Sequence, residues 1–378
     1  MDADVFPKAS VIVFGYNSRR FLDVCFTALL TQAYPGNFEV LFIDNTSTDG
    51  SVAYVQEHFP SVRVIESGEN LGYAGGNNLG AKFARGDVLA FINPDTQAES
   101  DWLRELVRPL VLDSSIGLTT SKIVLIDNPD VINTCGNDLT LAGIATCRLA
   151  GEEAEKVTAD EDVSAVSGAA CAIRADLFLR LGGFDERFWM YLEDTDLSWR
   201  ARLAGYRCRL AARSVVAHHY TFRLPPGKTR VIERNRYRML AKNLSGWMLV
   251  ALIPCLVVGE LMTWGWAVLR GPRHLWAKTL AALWLFGHLF ELQQARQLTQ
   301  VFRRVSDGVI LRHHLAIPPV SAVATGLVAR IACAMLLPLG MLTAGLALGL
   351  AGVIWPDSPA RPVIGPATGV VKIEGRVD

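Results

Sequence analysis

Polar side chains that can bind metal ions follow two apolar runs of the chain. Asn93 and Asp95 come at the end of the run Asp87–Asn93, and their spacing of two residues points both side chains to one side. Oxygen ligands in this arrangement suit a hard cation that bridges two phosphate oxygens. His218, which follows Val215–Ala217, could add a further ligand. Simpler interpretations stay open: an Asn-Pro turn with Asp95 capping the next helix, and an ordinary surface or core histidine.

Two carboxylates, Glu193 and Asp194, stand at the expected start of a helix and follow the aromatic residues Trp189 and Tyr191. A carboxylate there can accept the proton of a hydroxyl as the hydroxyl attacks, and the aromatic faces suit sugar rings. The residue types also fit an N-cap, with Asp194 capping a helix that runs to about Leu203. The two roles are compatible, because the helix amides would hold the carboxylate ionised.

The glycine-rich stretch GYAGG at residues 72–76 is followed by Asn77 and Asn78. It matches neither the P-loop nor the dinucleotide-binding fingerprint. Bare backbone at the start of a helix, here expected over Gly75–Ala84, favours a phosphate or a sugar hydroxyl close to its amides. A plain loop-to-helix turn is the other interpretation.

Apolar runs of strand length alternate with helical stretches in the first hundred residues. Strands are expected at Ser10–Gly15, Phe38–Asp44, Ser61–Glu66 and Asp87–Asn93, with helices at about Arg20–Ala33, Ser51–His58 and Gly75–Ala84. Because each strand is apolar almost throughout, the pattern predicts a parallel sheet with helices on both faces. Ligands bind at the carboxyl ends of such strands, and polar residues gather there: Asn17, Asp44, Asn45, Asn93 and Asp95.

Charge divides the chain into two parts. Residues 1–225 carry 20 basic and 30 acidic side chains, whereas residues 226–355 carry 14 basic and 4 acidic ones. The acidic front part argues against a nucleic-acid binder, and the basic, apolar back part favours an anionic membrane surface. The seven cysteines form no Cys-x-x-Cys pair, which predicts free thiols in a reducing compartment.

Two apolar runs in the back part are long enough to cross a bilayer, which takes roughly 20 apolar residues as a helix. They are Trp247–Leu269, with a single charge at Glu260, and Ile331–Trp355, with none. Between them, Leu275–Leu292 is expected to be a weaker span or an interfacial helix, and the arginine-rich residues 293–330 to lie on the membrane surface. The opening MDADVFPKAS shows no secretory signal, so we expect the front part on the cytoplasmic side of the plasma (inner) membrane.

A set of motifs spread over the front part resembles a known family. The segments FGYN, IDNTSTDGS, NLGYAGGNN, FINPD, GGFDERFWMYLEDTDLSWR and AHH resemble family 2 glycosyltransferases of the GT-A fold, and most of all the rhamnosyltransferase-type members that build bacterial cell-surface glycans. The resemblance covers about residues 8–245. It implies an α/β fold, with a Rossmann-like, mostly parallel sheet flanked by helices and followed by an all-α membrane-associated region.

Four regions are expected on this basis. Residues 1–225 would form the GT-A catalytic domain, 226–246 a basic connecting segment, 247–355 hydrophobic membrane-associated helices, and 356–378 a disordered tail. The apolar helices could also pack against a second copy of the chain.

The resemblance implies a donor-binding role for one group of residues. Asp44 would hydrogen-bond the pyrimidine base of a dTDP- or UDP-sugar, with Asn17 and Asn45 beside it. The turn at Gly75, Gly76 and Asn77 would approach the ribose and diphosphate.

A second group would carry the chemistry. Asp95 and His218 would hold Mg²⁺ or Mn²⁺, while Asn93, where many relatives have an aspartate, would contact the sugar or the metal through water. Asp194 would be the general base of one in-line displacement that inverts the anomeric carbon. The acceptor pocket would be lined by Trp189, Tyr191 and Glu193.

The function expected from this set is transfer of one sugar to a lipid-linked saccharide, with the basic strip Lys228–Lys242 as a candidate contact for the acceptor pyrophosphate. A processive polysaccharide synthase is an alternative, although the Gln-x-x-Arg-Trp segment typical of such synthases is absent. A non-catalytic membrane scaffold with the same fold is another, suggested by Asn93.

Overall fold

A mixed ten-stranded sheet forms the centre of the protein in a computed structural model, which describes residues 6–221, 223–316, 318, 338–346 and 349. The strand order is β10-β12-β6-β11-β4-β1-β2-β3, with β5 paired to β12 and β7 to β6. These strands are β1 (Ala9–Gly15), β2 (Phe38–Asp44), β3 (Arg63–Glu66), β4 (Val88–Ile92), β5 (Thr96–Ala98), β6 (Ile116–Leu125), β7 (Asn128–Thr134), β10 (Glu161–Asp162), β11 (Ala170–Arg174) and β12 (Arg207–His218). A separate hairpin joins β8 (Asn137–Leu139) to β9 (Ala145–Cys147).

The four strands expected from the apolar runs lie side by side and parallel, in the order β4-β1-β2-β3. The sheet then continues through β11, which runs antiparallel to both β4 and β6, while β12 is parallel to β6. A mostly parallel sheet is therefore confirmed. Among the strands that the sequence did not reveal is the short antiparallel β11, inserted between β4 and β6, which run parallel to each other.

Helices cover both faces of this sheet. Those of the front part are α1 (Arg19–Leu30), α2 (Ser51–His58), α3 (Gly72–Phe83), α4 (Trp102–Leu112), α5 (Ala175–Arg180) and α6 (Glu193–Leu203). Successive residues of β1 alternate between the two cores: Val11 and Val13 pack on one face, and Ile12 and Phe14 on the other. Apolar side chains on both faces explain why the strands are apolar almost throughout.

The back part is helical and packs on the front part. Its helices are α7 (Pro226–Asn243), α8 (Gly246–Ala251), α9 (Ile253–Arg270), α10 (Pro272–Gly287), α11 (Leu289–Gln300) and α12 (Asp307–Leu311). Met239 and Leu240 of α7 share a core with Trp199 and Leu203 of α6. The boundary at residue 225 stays a prediction, and this packing crosses it.

The apolar run Trp247–Leu269 is divided between α8 and α9, and the run Leu275–Leu292 between α10 and α11. Within the described residues, α9 is the one helix long and apolar enough to cross a membrane. The run Ile331–Trp355 lies outside the described residues except for 338–346, which are helical, and 349. The surface helix expected over 293–330 is described only to residue 318, and the tail 356–378 is not described.

The cysteines of the described part are free thiols. Five are buried, and Cys147 is half-buried. Cys333 lies outside the described residues.

Candidate active site

Asp44 ends β2 with one of its carboxylate oxygens unused. The residue is 2% exposed, and Oδ2 accepts a hydrogen bond from the Ser47 amide at 2.9 Å. Oδ1 is buried and has no hydrogen-bond partner in the part of the chain that the structure describes. A buried carboxylate oxygen without a donor is costly, so this oxygen is suited to an N–H group supplied by a ligand.

The two asparagines predicted beside Asp44 hold loops in place. Asn17 has a left-handed backbone (φ 49°), and its Oδ1 accepts from the Thr48 amide at 2.8 Å. Asn45 is buried, and its Oδ1 accepts from the Leu71 amide at 2.9 Å. Each side-chain oxygen thus already accepts a backbone amide of a neighbouring loop, so both asparagines serve to position loops around Asp44.

Gly75, Gly76 and Asn77 do not form the expected turn, because α3 begins at Gly72 and places all three inside the helix. A Cβ atom on Gly76 would clash with the ring of Phe14, so the glycine lets α3 approach β1 closely. The Asn77 side chain is buried and donates to the carbonyl of Tyr73 within the same helix. Close packing of α3 against β1 is thus enough to explain a glycine at position 76. A contact between this segment and the nucleotide-sugar donor stays a prediction.

Asp95 and His218 are brought together by the antiparallel pairing of β5 with β12, in which Thr96 is opposite His218. Asp95 Oδ1 lies 3.3 Å from His218 Nε2. On the other side of the ring, His218 Nδ1 is 2.9 Å from Oδ1 of the buried Asn133. An amide oxygen can only accept, so Nδ1 carries a proton, and in the neutral tautomer Nε2 then presents a lone pair to the carboxylate or to a metal ion.

Two acceptors at this distance need a proton or a cation between them, so the pair fits a divalent metal ion. The described residues contain no group of three or more His, Cys, Asp or Glu side chains that could hold a metal. Asp95 and His218 would therefore supply two ligands and leave the rest to a bound molecule. The side chain of Asn93 makes no hydrogen bond within the described residues, while its backbone N–H donates to the carbonyl of Ala169 at 3.0 Å.

Asp194 is the second residue of α6 rather than its N-cap, since the helix begins at Glu193 and the cap position is Leu192. Its Oδ2 accepts from the Gly168 amide at 2.7 Å and from Asn137 Nδ2 at 3.2 Å, while Oδ1 accepts from the Thr195 amide at 2.6 Å. Burial raises the pKa of Asp194, and these hydrogen bonds partly offset the rise. The expected capping role is wrong, and the carboxylate is less acidic than helix amides alone would make it.

A short loop connects the metal-binding candidates with Asp194. In this loop, residues 167–169, the carbonyl of Ala169 accepts a hydrogen bond from the backbone N–H of Asn93. The backbone N–H of Gly168 donates to the Asp194 carboxylate. Tyr73 fixes it from a third side, because its hydroxyl donates to the Gly168 carbonyl at 2.6 Å. The end of β4 and the start of α6 are thus two hydrogen bonds apart.

Glu193 is a buried acid beside Asp194. Its Oε2 has no hydrogen-bond partner within the described part of the chain. Burial and the neighbouring Asp194 raise the pKa of Glu193 well above its usual value. Of the two adjacent carboxyl groups, Glu193 is the one that burial and its neighbour shift more strongly towards the neutral form.

The loop before α6 is strained and carries the two predicted acceptor aromatics. Trp189, Tyr191 and Leu192 all have left-handed backbones, with φ of 61°, 71° and 68°. The Trp189 ring is 42% exposed, and its backbone carbonyl accepts from the amide of Ala74 in α3 at 3.2 Å. Strained non-glycine backbone of this kind is kept only where surrounding contacts enforce it.

Those contacts come from α7, through a residue that had no predicted role. Asn235 is fully buried, and its Nδ2 lies 3.0, 2.9 and 2.7 Å from the carbonyls of Phe188, Met190 and Tyr191. In the sequence Asn235 is only a polar residue in a basic segment, so no local signal marks it.

The basic strip expected at the surface is largely buried and neutralised. Arg236 pairs with Glu233 and Glu260, Arg238 with Asp185 and Glu291, and Lys242 with Asp185 and Asp196. Burial alone would raise the pKa of Asp185, but Lys242 and Arg238 hold it below its usual range. Within the described residues, Lys228, Arg230 and Arg234 are the members of the strip without an ion pair, so only they could meet an acceptor pyrophosphate.

Comparisons with known proteins agree with the sequence resemblance and extend it. The profile of glycosyl transferase family 2 matches residues 10–134, and that of glycosyl transferase family group 2 matches residues 89–348. The second match continues about a hundred residues past the end of the resemblance at residue 245, through the helices of the back part.

Among curated relatives, the chain is 30% identical over 275 residues to an N-acetylglucosaminyl-diphospho-decaprenol L-rhamnosyltransferase of Mycobacterium tuberculosis, across 65% of this chain and 86% of the relative. It is 28% identical over 227 residues to the O-antigen biosynthesis protein RfbC of Myxococcus xanthus, across 56% of this chain but only 17% of that much longer protein.

Two solved structures share the fold. GalNAc-T7 with UDP, GalNAc and Mn²⁺ matches with a TM-score of 0.55 and 17% identity, over 68% of this chain and 51% of that one. S. aureus TarS 1–349 in complex with UDP-GlcNAc matches with a TM-score of 0.52 and 16% identity, over 89% and 90% of the two chains. At these identities the likeness establishes the fold, a GT-A arrangement, and nothing finer.

Proposed function

Because the chain belongs to glycosyltransferase family 2, as a rhamnosyltransferase-like member with a GT-A fold, we propose that it transfers one sugar from a dTDP- or UDP-sugar to a lipid-linked saccharide, with inversion at the anomeric carbon. Membership of this family favours an enzyme over the non-catalytic scaffold that Asn93 had suggested. The observation that carries the finer proposal is the Asp95–His218 pair, two acceptors 3.3 Å apart at the end of the sheet where a donor diphosphate would lie.

Binding of the nucleotide-sugar donor would use Asp44 at the end of β2 and the Asp95–His218 pair. The unpaired Oδ1 of Asp44 would accept the ring N–H of the pyrimidine base. Asp95 Oδ1 and His218 Nε2 would hold Mg²⁺ or Mn²⁺, with Asn133 fixing the histidine tautomer. When bound, the cation neutralises the charge that builds up on the departing diphosphate.

Acceptor activation would use Asp194. A sugar hydroxyl is a weak nucleophile, so a carboxylate that removes its proton during the attack lowers the barrier. In that step the acceptor oxygen bonds to the anomeric carbon, the bond from that carbon to the diphosphate oxygen breaks, and Asp194 receives the hydroxyl proton. The raised pKa of Asp194 makes it a better base than an exposed aspartate while leaving an ionised form available.

The acceptor would dock against Trp189, Tyr191 and the unpaired cations of α7. The rhamnosyltransferase relative acts, by its name, on a saccharide joined to decaprenol through a diphosphate. Lys228 lies 4.6 Å from the Tyr191 ring, close enough to meet a phosphate beside the aromatic pocket. A lipid-linked acceptor would place the enzyme at the inner face of the plasma membrane.

The direct test is transfer of radiolabelled sugar to a synthetic N-acetylglucosaminyl-diphospho-polyprenol. A panel of dTDP- and UDP-sugars would be tried with Mn²⁺ and with chelator, using the full chain. We expect one labelled sugar per acceptor, only when the metal is present. Chains of several sugars would instead favour a processive synthase, and equal transfer in chelator would contradict metal dependence.

A further inference from the structure

Helices α8 to α11 expose large apolar side chains. In α9 these side chains recur every fourth residue: Ile253, Val257 and Leu261 are 52%, 53% and 55% exposed. Val268 and Leu269 continue the stripe in α9, and the neighbouring helices expose Trp247, Val250, Trp276, Leu283, Phe286, Leu289 and Phe290. We call this set, from Trp247 to Phe290, the apolar face.

The opposite side of α9 packs against the catalytic domain at the middle of the helix. A Cβ atom on Gly259 would clash with Ala142, in the turn between β8 and β9. The next residue, Glu260, pairs with Arg236 of α7 and Lys278 of α10, and accepts from the Tyr237 hydroxyl at 3.0 Å. Glu260, the single charge in the apolar run, therefore holds α9 against α7 and α10.

This packing is incompatible with α9 crossing a bilayer. A helix of 18 residues is about 27 Å long, so its middle would lie some 13 Å below the membrane surface. Ala142 and the ion pairs of Arg236 and Lys278 contact that middle and would have to enter the hydrocarbon with it. Burying charged groups at this depth in the hydrocarbon costs free energy. The folded catalytic domain to which these groups belong could not enter the bilayer with them.

Around the apolar face, the charged side chains without an ion-pair partner in the described residues are positive. Each carboxylate in the described residues of 247–316 is in an ion pair: Glu260 as above, Glu291 with Arg238, and Asp307 with Arg303. Arg270, the last residue of α9, and Arg273, near the start of α10, are exposed and have no ion pair in the described part of the chain. Cations beside exposed apolar side chains complement an anionic lipid surface.

Tryptophan is concentrated in the same helices. Five of the nine tryptophans of the chain fall between residues 247 and 284. Trp and Tyr favour the interface between membrane and water over the hydrocarbon interior. Apolar stripes, unpaired arginines and tryptophans together describe helices that lie in that interface.

We propose that the apolar face of α8–α11 docks flat onto an anionic lipid surface, with α9 parallel to the membrane plane. Arg270 and Arg273 then stay on the cytoplasmic side, whereas a spanning α9 would carry them across, against the usual distribution of basic residues. This mode of attachment goes beyond the proposed glycosyl transfer and does not depend on which sugar is moved.

The position of Arg273 distinguishes a flat α9 from a spanning one. Lys156→Cys marks the exposed surface of the catalytic domain, and Arg273→Cys, near the start of α10, marks a position just beyond the end of α9. Both full-length variants would be treated with a membrane-impermeant maleimide in intact spheroplasts and in inverted vesicles, with the unsubstituted chain as background. We expect both cysteines to react only in inverted vesicles. Reaction of Arg273→Cys from the outside would overturn the proposal.

Flotation of the purified chain with vesicles identifies what covers the apolar face. We expect binding to phosphatidylglycerol vesicles, and about 30-fold weaker binding of the double variant Arg270→Gln/Arg273→Gln. The matched control Arg85→Gln/Arg213→Gln removes two exposed arginines of the catalytic domain and should bind as the unsubstituted chain does. Equal binding to phosphatidylcholine vesicles, or a soluble dimer that ignores vesicles, would contradict anionic-lipid docking.

Discussion

The two sides of the candidate site are built differently. On the proposed donor side, Asp44 ends β2 and Asp95 directly precedes β5, and the pairing of β5 with β12 brings Asp95 to His218. On the proposed acceptor side, Asp194 is held by Gly168 and Asn137, which are 26 and 57 positions away in the chain. The loop before it is held by Asn235 of α7, 44 to 47 positions away. Donor geometry thus follows from the sheet, while acceptor geometry depends on contacts between segments distant in the chain, of which the back part contributes Asn235.

The largest effect on the rate of sugar transfer is expected from substitution of Asp194, compared with substitution of the adjacent Glu193. Asp194→Asn removes the proposed base and should lower kcat by about 10²–10⁴-fold. Glu193→Gln mimics the neutral carboxyl that burial favours, so it should keep most of the activity. Initial rates of sugar transfer at saturating donor give the comparison. Similar losses in both variants would remove the distinction between the two carboxylates.

A smaller effect is expected on the donor side, from a residue that would not touch the metal itself. Asn133→Ala frees His218 Nδ1 and should weaken Mn²⁺ activation by about 10–100-fold, as loss of such supporting hydrogen bonds typically does. Excess Mn²⁺ should restore the maximal rate. A lower maximal rate with an unchanged Mn²⁺ dependence would contradict the role given to His218.

Asn235 tests the acceptor side through its support. Asn235→Ala removes the donor shared by three loop carbonyls and should raise the acceptor KM about tenfold, the net worth of one or two hydrogen bonds. Donor affinity, measured by calorimetry with Mn²⁺, should stay unchanged. The matched control is Asn128→Ala, at an exposed position on β7. An equal loss of donor affinity would mean that the two sides are not separately built.

The smallest expected effect is a shift in pH dependence. The proposed base is the ionised form of Asp194, and burial raises the pKa of this residue, so activity should fall as pH drops through a value above the usual 3.9 or so. Asn137→Ala removes a hydrogen bond that favours the ionised form and should move this acid limb to still higher pH. A kcat profile against pH for both chains checks the direction. An acid limb at lower pH in Asn137→Ala would contradict it.

The donor side and the central strands could be predicted because their signals are local. The bounds of β2 and α2 match the expected Phe38–Asp44 and Ser51–His58, since each is marked by a short apolar run or turn residues. The positions of Asp44, Asp95 and His218 follow from where such runs end.

The acceptor side could not be predicted in the same way, because its contacts join distant segments. Nothing near Gly168 shows that its amide donates to Asp194, and nothing near Asn235 shows the strained loop that it supports. The pairing of Arg236, Arg238 and Lys242 was equally hidden, since the acids that neutralise them lie on other elements. The same gap hid the packing and the ion pairs at the middle of α9, so the apolar run alone could not show how this helix meets a membrane.

A crystal soaked with Mn²⁺ and dTDP, with data collected at the manganese edge, tests the central claim most directly. The account predicts one anomalous peak between Asp95 Oδ1 and His218 Nε2, with the diphosphate bound to the same ion. A peak elsewhere, or a bound nucleotide with no metal at this pair, would contradict it.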